Sequence, residues 1–448
     1  MLPVERHFAR SGDPLAGAFV ERSAGHWVRG RPVPVPDAGA AFASLVAAKR
    51  PGRRAAYLHV PFCSNHCLYC GFYRNRADED ALAVYTAYVE RQIARDAEAA
   101  KGFGPVHAVY FGGGTPNALA AEDLHRLIRA VRSRLALAPD CEITVEGRVF
   151  GFTPEKIDAC LAAGANRFSI GVQTFDTDLR RRFGRKAERE EAVEFLRALR
   201  ERDAAAVVCD LIYGLPGQDI ESWRRDLRTC IELDLDGVDL YALTLFDKGP
   251  LALSIAKGAL PAAASQRELA EFYAVGLEML EDAGWRHLTQ AHWGSGTRER
   301  NLYNQFVKSG ADCLAFGSGA GGMLGGHRYM LDGDCEAYQR RVMAGDRPIA
   351  MMLAPQPHQR VRDLVTAGLE AGRLDLARLE AAAAPGLSKA LAPLVDQWAG
   401  AGLVRRRADS IVLTTAGWFW HGNLGASLNQ LISLYLGGTP GTEVRHVH

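Results

Sequence analysis

The 448-residue chain contains no apolar run approaching the roughly 18 residues that a membrane-spanning helix needs. Its first residues, MLPVERHFARSGDP, are charged at once and hold no apolar stretch of the kind that directs secretion. A net charge of +1 gives no overall attraction for nucleic acid or an anionic membrane surface. No solenoid-type period repeats. The nine cysteines are an odd number, and six of them (Cys141, Cys160, Cys209, Cys230, Cys313 and Cys335) are scattered without the spacing of a disulfide framework. A reducing, cytoplasmic location is therefore expected. The 48% hydrophobic and 23% charged content is that of an ordinary globular protein. The length exceeds one small domain. We expect an N-terminal extension over 1–50, a core over 51–300 and a C-terminal region over 301–448.

What is present is an alternation. Short β-branched runs at 56–61, 106–113, 142–147, 167–173, 207–214 and 238–245 are separated by stretches whose apolar residues recur every three to four positions. Strand, helix, strand, helix predicts a parallel sheet with right-handed crossovers. Six such units predict an α/β fold, a partial parallel (β/α) barrel. Polar and glycine residues sit at the C-terminal ends of the strands, the edge where parallel α/β folds bind ligands. Cys63 follows the first strand, GGGTPN the second, Glu146 the third and Gln173 the fourth, while Asp210 lies in the fifth. Beyond 300, DCLAFGSGAGGMLGGHRYM is glycine-dense, and its GSGAGGMLGG portion reads as a mobile or close-packing segment. LVDQWAGAGLVRRRADSIVLTTAGWFW reads as helix, short hairpin, helix, a partly helical winged-helix-like arrangement. The leader segment RGRPVPVPDAG reads as extended, the following AAFASLVAAKR as a short helix and the terminal RHVH as a disordered tail.

The densest chemistry is YLHVPFCSNHCLYCGFY, Tyr57 to Tyr73. Cys63, Cys67 and Cys70 fall at i, i+4 and i+7. That spacing also describes one face of a helix, and a free cysteine packs as a small hydrophobe. Pro61, Asn65 and Gly71 are poor helix-interior residues, however, and the run follows a strand. Structural zinc is usually held by four ligands in paired units, and no second pair exists here. Soft thiolates also suit iron–sulfur clusters. Three thiolates on a four-iron cluster leave one iron open to a small molecule. His66, beside Cys67, reads as a shield for such a cluster.

C-x3-C-x2-C after a first barrel strand resembles the radical S-adenosylmethionine enzymes. The resemblance implies a barrel of the radical SAM type and a 4Fe–4S cluster held by Cys63, Cys67 and Cys70. It also implies that S-adenosylmethionine chelates the open iron and is cleaved by one electron to a 5′-deoxyadenosyl radical. The pieces YLHVPFCSNHCLYC, VYFGGGTPN, RFSIGVQTFD, GR at 184–185, CDLIYGLPGQ and LTTAGWFW are similar to the coproporphyrinogen dehydrogenase-like branch over roughly residues 50–440. By that resemblance Tyr57, Gly113, Gly114, Thr115, Glu146, Gln173, Arg185, Asp210 and Ala242 would contact the cofactor or shape a pocket for a second S-adenosylmethionine. Read alone, the glycine turn is a tight strand-to-helix connection and the buried polar residues an internal salt-bridge network. The arginine-rich LRRRFGRK at 179–186 reads as a solvated helix face ending in Arg185.

Within the branch, the decarboxylases carry a further cysteine two positions after the third ligand, where this chain has Phe72. The usual Glu-x-x-Pro stretch is EGRVFGF here, with Arg148 at a typically small or polar position. A leader of about fifty residues, including His26, precedes the first strand, whereas the heme chaperones of the branch start almost at that strand. These features look most like the anaerobic heme-degrading methyltransferases of heme-utilisation operons. The resemblance implies a tetrapyrrole substrate, heme foremost, and an electron donor such as flavodoxin or ferredoxin. Phe72, Tyr73, Arg74 and Arg148 are candidates for an aromatic, basic cleft.

Overall fold

The computed structural model of the chain describes residues 2–23 and 33–437. His26, the first part of RGRPVPVPDAG and the RHVH tail lie outside the described residues.

One twelve-stranded sheet organises the molecule. Its strands are β1 (Arg54–Val60), β2 (Val106–Gly113), β3 (Leu137–Arg148), β4 (Arg167–Gln173), β5 (Ala206–Tyr213) and β6 (Gly237–Ala242). They continue as β7 (Arg286–Thr289), β8 (His292–Gly294), β9 (Asp312–Phe316), β10 (Gly321–Leu324), β11 (His327–Leu331) and β12 (Ile349–Leu353). The spatial order is β12-β11-β10-β9-β1-β2-β3-β4-β5-β6-β8-β7. The central seven, from β9 to β6, run parallel, and antiparallel strands extend both ends. The two outer strands do not pair with each other, so the sheet is a partial barrel.

Six of the seven parallel strands coincide with the predicted runs. The seventh, β9, pairs with β1 from far along the chain. Its run DCLAF is only five residues long and opens a glycine-dense stretch, so composition hides it. The sheet consequently continues past residue 300, where the core was expected to end. The glycine-dense stretch packs closely: a Cβ on Gly317 would meet the carbonyl of His59 and the hydroxyl of Tyr85.

The crossover helices follow from amphipathic spacing and caps. Ala121–Arg134 buries Leu124, Leu127, Ile128 and Val131, positions three to four apart. Pro154–Ala163 starts after Thr153, whose hydroxyl accepts the Lys156 amide, and ends at left-handed Gly164. Gln266–Asp282 opens with a reciprocal Ser265–Glu268 box.

The C-terminal region has the expected winged-helix-like form. Helix Leu387–Gly400 leads into strands Val404–Arg407 and Ser410–Leu413, then helices Thr415–Phe419 and His421–Tyr435, with Arg373–Asp375 as third strand. The leader docks on this region. The Trp398 indole donates to the His7 carbonyl (3.0 Å), and that of Trp420 to the carbonyls of Pro14 and Leu15 (3.0 and 2.9 Å). The chain resumes with a bridge from Pro34 to Leu353, covering the edge of β12, and with helix Ala38–Ala47 where a short helix was expected.

Candidate active site

The cysteine loop leaves the barrel at the C-terminal end of β1. It does not form a helix. Phe62–Cys63 pairs with Asn75–Arg76 in a two-residue ladder, which closes the loop upon itself. The segment 183–185 clasps it from outside. The Leu68 amide donates to the Phe183 carbonyl (3.3 Å) and the Asn65 side chain to the Gly184 carbonyl (2.6 Å). His66 is exposed and stacks on Tyr73 with ring centroids 4.5 Å apart.

All nine cysteines are unpaired. Each thiol of the trio faces a donor. Thr115 Oγ1 donates to Cys63 Sγ (3.3 Å), the Phe72 amide to Cys70 Sγ (3.3 Å), and Arg148 Nη2 to Cys67 Sγ (2.9 Å), with Arg185 Nη1 at 3.9 Å. Burial pushes the Cys63 and Cys70 thiols up, against the pull of these donors. Among the described residues, no three His, Cys, Asp or Glu side chains converge as a single ion requires. A cubane takes its thiolates at separate iron corners, so thiols that each face a donor of their own suit it.

Beside the loop, the ends of the strands gather the other predicted residues. The turn after β2 is tight on every side. A Cβ on Gly112 would lie 2.7 Å from Glu146 Oε2, one on Gly113 2.7 Å from the His59 ring, and one on Gly114 2.7 Å from the Phe62 carbonyl. Gly113 also has φ of 117°, a left-handed conformation that glycine adopts without penalty. The Gly114 amide is given to the Val60 carbonyl (2.8 Å) and that of Gly113 to Glu146, so these amides are already partnered. Gln173 has φ of 69° at a bulge between β4 and β5, and its Oε1 is buried with no partner. Arg185 is buried and holds the Gly171 carbonyl at the end of β4. Ala242 ends β6 opposite Tyr213.

Deeper in the barrel the register runs Arg148, Gly171, Asp210, Asp239, His292 across five strands. Ser169 Oγ donates to Asp210 Oδ1 (3.0 Å). Burial, and then the nearby Asp210 carboxylate, push Glu146 up to about 8. Burial and Asp239 likewise push Asp210 upward. Both groups therefore bind protons more tightly folded than unfolded. Their contribution to stability is complete below the unfolded carboxylate range near 4 and is lost as pH rises through about 8. Stability of the ligand-free protein against thermal unfolding is expected to fall as pH rises over that window, by up to about 1.4 kcal/mol per pH unit for each proton released. Glu146→Gln should flatten the slope; an unchanged slope in that variant would remove Glu146 as its source.

Two residues near the site escaped the sequence reading. His59 is linked to Tyr57, whose hydroxyl lies 2.8 Å from its Nδ1, and burial lowers it to about 4, so it is neutral. The period of two along β1 places both on one face, and that was the available signal. Arg180 corrects the solvated reading of 179–186. It is 1% exposed and donates to the carbonyls of Val172, Thr174 and Ala187 (2.8, 2.9 and 2.6 Å), while Arg181 and Arg182 are exposed as expected. A six-residue helix, Thr177–Arg182, with its arginines in a row gave no hint that one turns inward.

The profile of the Radical SAM superfamily matches residues 57–230. Anaerobilin synthase of Escherichia coli O157:H7 is 44% identical over 97% of this chain and 96% of its own. The chain belongs to the radical SAM superfamily, in the family of that enzyme. The heme chaperone HemW of Lactococcus lactis is 31% identical over 63% of this chain and 73% of its own. Coproporphyrinogen III oxidase (HemN) from Escherichia coli, 24% identical, superposes with a TM-score of 0.74 over 89% of this chain and 94% of its own, which fixes the fold. The superfamily works with a 4Fe–4S cluster and S-adenosylmethionine. The residues present fit both: a sulfur trio already met by donors, and a buried, unpartnered Gln173 oxygen at the end of β4.

Proposed function

We propose that this protein degrades heme without oxygen, by methyl transfer and opening of the macrocycle with release of iron. The observation that carries the reading is the 44% identity running through 97% of the chain to a protein named anaerobilin synthase. The site residues are read accordingly. Cys63, Cys67 and Cys70 hold the cluster. When bound, the cluster supplies the electron that opens the sulfonium of S-adenosylmethionine. Tyr57, Gly113, Gly114, Thr115, Glu146, Gln173, Arg185, Asp210 and Ala242 orient that molecule and shape the space for a second, since methyl donation and radical formation each consume one. Their task is placement: to hold the reacting carbon within reach of the substrate and to exclude water.

The rim gives a flat, anionic macrocycle something to lie on. Phe72, Phe150 and Phe246 are 70%, 47% and 45% exposed. A Cβ on Gly71 would lie 2.7 Å from the Phe246 ring, so this ring covers the end of the cysteine loop. Lys186 Nζ stands 4.5 Å over Phe150. Stacking on such rings and pairing with Lys186 and Arg74 suit a porphyrin and its carboxylates. In this reading 51–300 is the catalytic core, 1–50 an extension and 301–448 a supporting region, although the sheet runs on into the last. The protein would work in a reducing cytoplasm, with a flavodoxin or ferredoxin as electron donor and no nucleic-acid partner. No helix of the described residues is long and apolar enough to cross a membrane.

The test is anaerobic incubation of the full chain with heme, S-adenosylmethionine and a strong reductant. The Soret band should disappear as 5′-deoxyadenosine and a methylated, linear tetrapyrrole accumulate, read by mass spectrometry. Intact heme under conditions that cleave S-adenosylmethionine would sink the proposal.

A further inference from the structure

Arg148 is the last residue of β3 and stands opposite Gly171 in the neighbouring strand. Glycine there leaves no side chain across the ladder, so the guanidinium is free to reach from the barrel to the cysteine loop. Its backbone is pinned on both sides. The Arg148 amide donates to Asn117 Oδ1 (3.0 Å), and Asn117 Nδ2 donates to the Arg148 carbonyl (3.2 Å). The Asn117 carbonyl in turn accepts from Lys156 Nζ (2.9 Å). The side chain is half-buried, so packing alone does not dictate where it points.

The three thiols are not treated alike. Cys63 and Cys70 each face a neutral donor, a hydroxyl and an amide. Arg148 acts through space on Cys63 and Cys70 as well, but it hydrogen-bonds Cys67, at 2.9 Å. Arg185, at 3.9 Å, is already committed to the Gly171 carbonyl. An arginine keeps its charge across the working pH range. Adding an electron to a thiolate-bound cluster makes it more negative. A charged donor on a ligand sulfur therefore stabilises the reduced form more than the oxidised one and raises the potential.

We infer that Arg148 is a positioning residue that sets the reduction potential of the cluster through its bond to Cys67, rather than a contact to the substrate. This rests on Cys67 being a cluster ligand, but not on heme being the substrate. The experiment is a redox titration of the anaerobically reconstituted full chain, followed by electron paramagnetic resonance, with neither tetrapyrrole nor S-adenosylmethionine added. Arg148→Met removes the donor and the charge but keeps an apolar stem. Its midpoint should fall so that the reduction equilibrium shifts about tenfold, which for one electron is about 59 mV. Arg148→Lys, keeping the charge without the planar fork, should fall between. An unchanged midpoint in Arg148→Met, with iron and sulfide content intact, overturns the inference. A higher KM for the tetrapyrrole in that variant would then mark a carboxylate contact. If Arg148→Met does not retain a cluster, the lysine variant decides: a lowered midpoint supports the inference and an unchanged one overturns it. Loss of the cluster from both variants also overturns it, because the residue would then serve assembly.

Discussion

Replacing Cys67 with alanine is expected to abolish turnover and to strip the protein of its cluster. The sulfur stands where two guanidinium groups meet, Arg148 at 2.9 Å and Arg185 at 3.9 Å. In the proposed assignment alanine removes an iron ligand, and it leaves the buried Arg185 without the sulfur beside it; an uncompensated buried charge is costly. Anaerobically reconstituted Cys67→Ala should lack the brown absorbance, iron and labile sulfide of the parent, and 5′-deoxyadenosine formation should drop to background. Cys63→Ala and Cys70→Ala should behave alike. Cys141→Ala, in the N-terminal half of β3, is the control and should keep metal and activity. Full activity in Cys67→Ala would refute the trio as the metal site and, with it, the placement of every residue arranged around it.

Most of the core was legible because parallel strands buried on both faces are written as continuous apolar runs. RFSIGVQ, buried at six of its seven positions, is an example. The candidate site was legible for a related reason: chemistry concentrates at the strand ends, so the sequence alone brings Cys63, Gly113, Glu146, Gln173 and Asp210 toward one edge of the sheet. What escaped was set by tertiary contacts. β9 is recognisable as a strand only once β1 is beside it. Arg180 looks like one of a solvated row until the Val172 and Thr174 carbonyls, left unpaired at the end of β4, are seen to need a donor. The Arg148 bond to Cys67 spans 81 residues and crosses a glycine on the neighbouring strand, and no spacing rule encodes such a meeting.

The charge network in the barrel interior leads to the largest stability effect. Arg167 Nε lies 3.1 and 3.0 Å from the two oxygens of Glu299, and the two side chains are 2% and 0% exposed. His292 joins Glu299 to Asp239, at 3.0 Å from each. Glu142 sits beside it and accepts the amides of Leu302 (2.9 Å) and Tyr303 (3.4 Å), capping helix Leu302–Lys308. Burial works against the charge on Glu299, but Arg167 and His292 outweigh it and hold the carboxyl down at about 2. Burial likewise opposes the charge on His292, and Asp239 and Glu299 lift it to about 9. The Glu299 contribution is present above the unfolded carboxylate value and lost as pH falls through about 2; that of His292 is present below about 6.5 and lost as pH rises through about 9. Arg167→Met breaks the network from one side and should cost about 3–5 kcal/mol, a large share of the 5–15 kcal/mol typical of a folded protein. The double variant Arg167→Met/Glu299→Gln should recover part of that loss, since the remaining charges are again balanced. Denaturation at neutral pH measures both. Turnover at low temperature should survive in Arg167→Met, because Arg167 itself opens β4, at the end opposite Gln173. An unaltered unfolding midpoint in the single variant would show that these charges do not hold the barrel together.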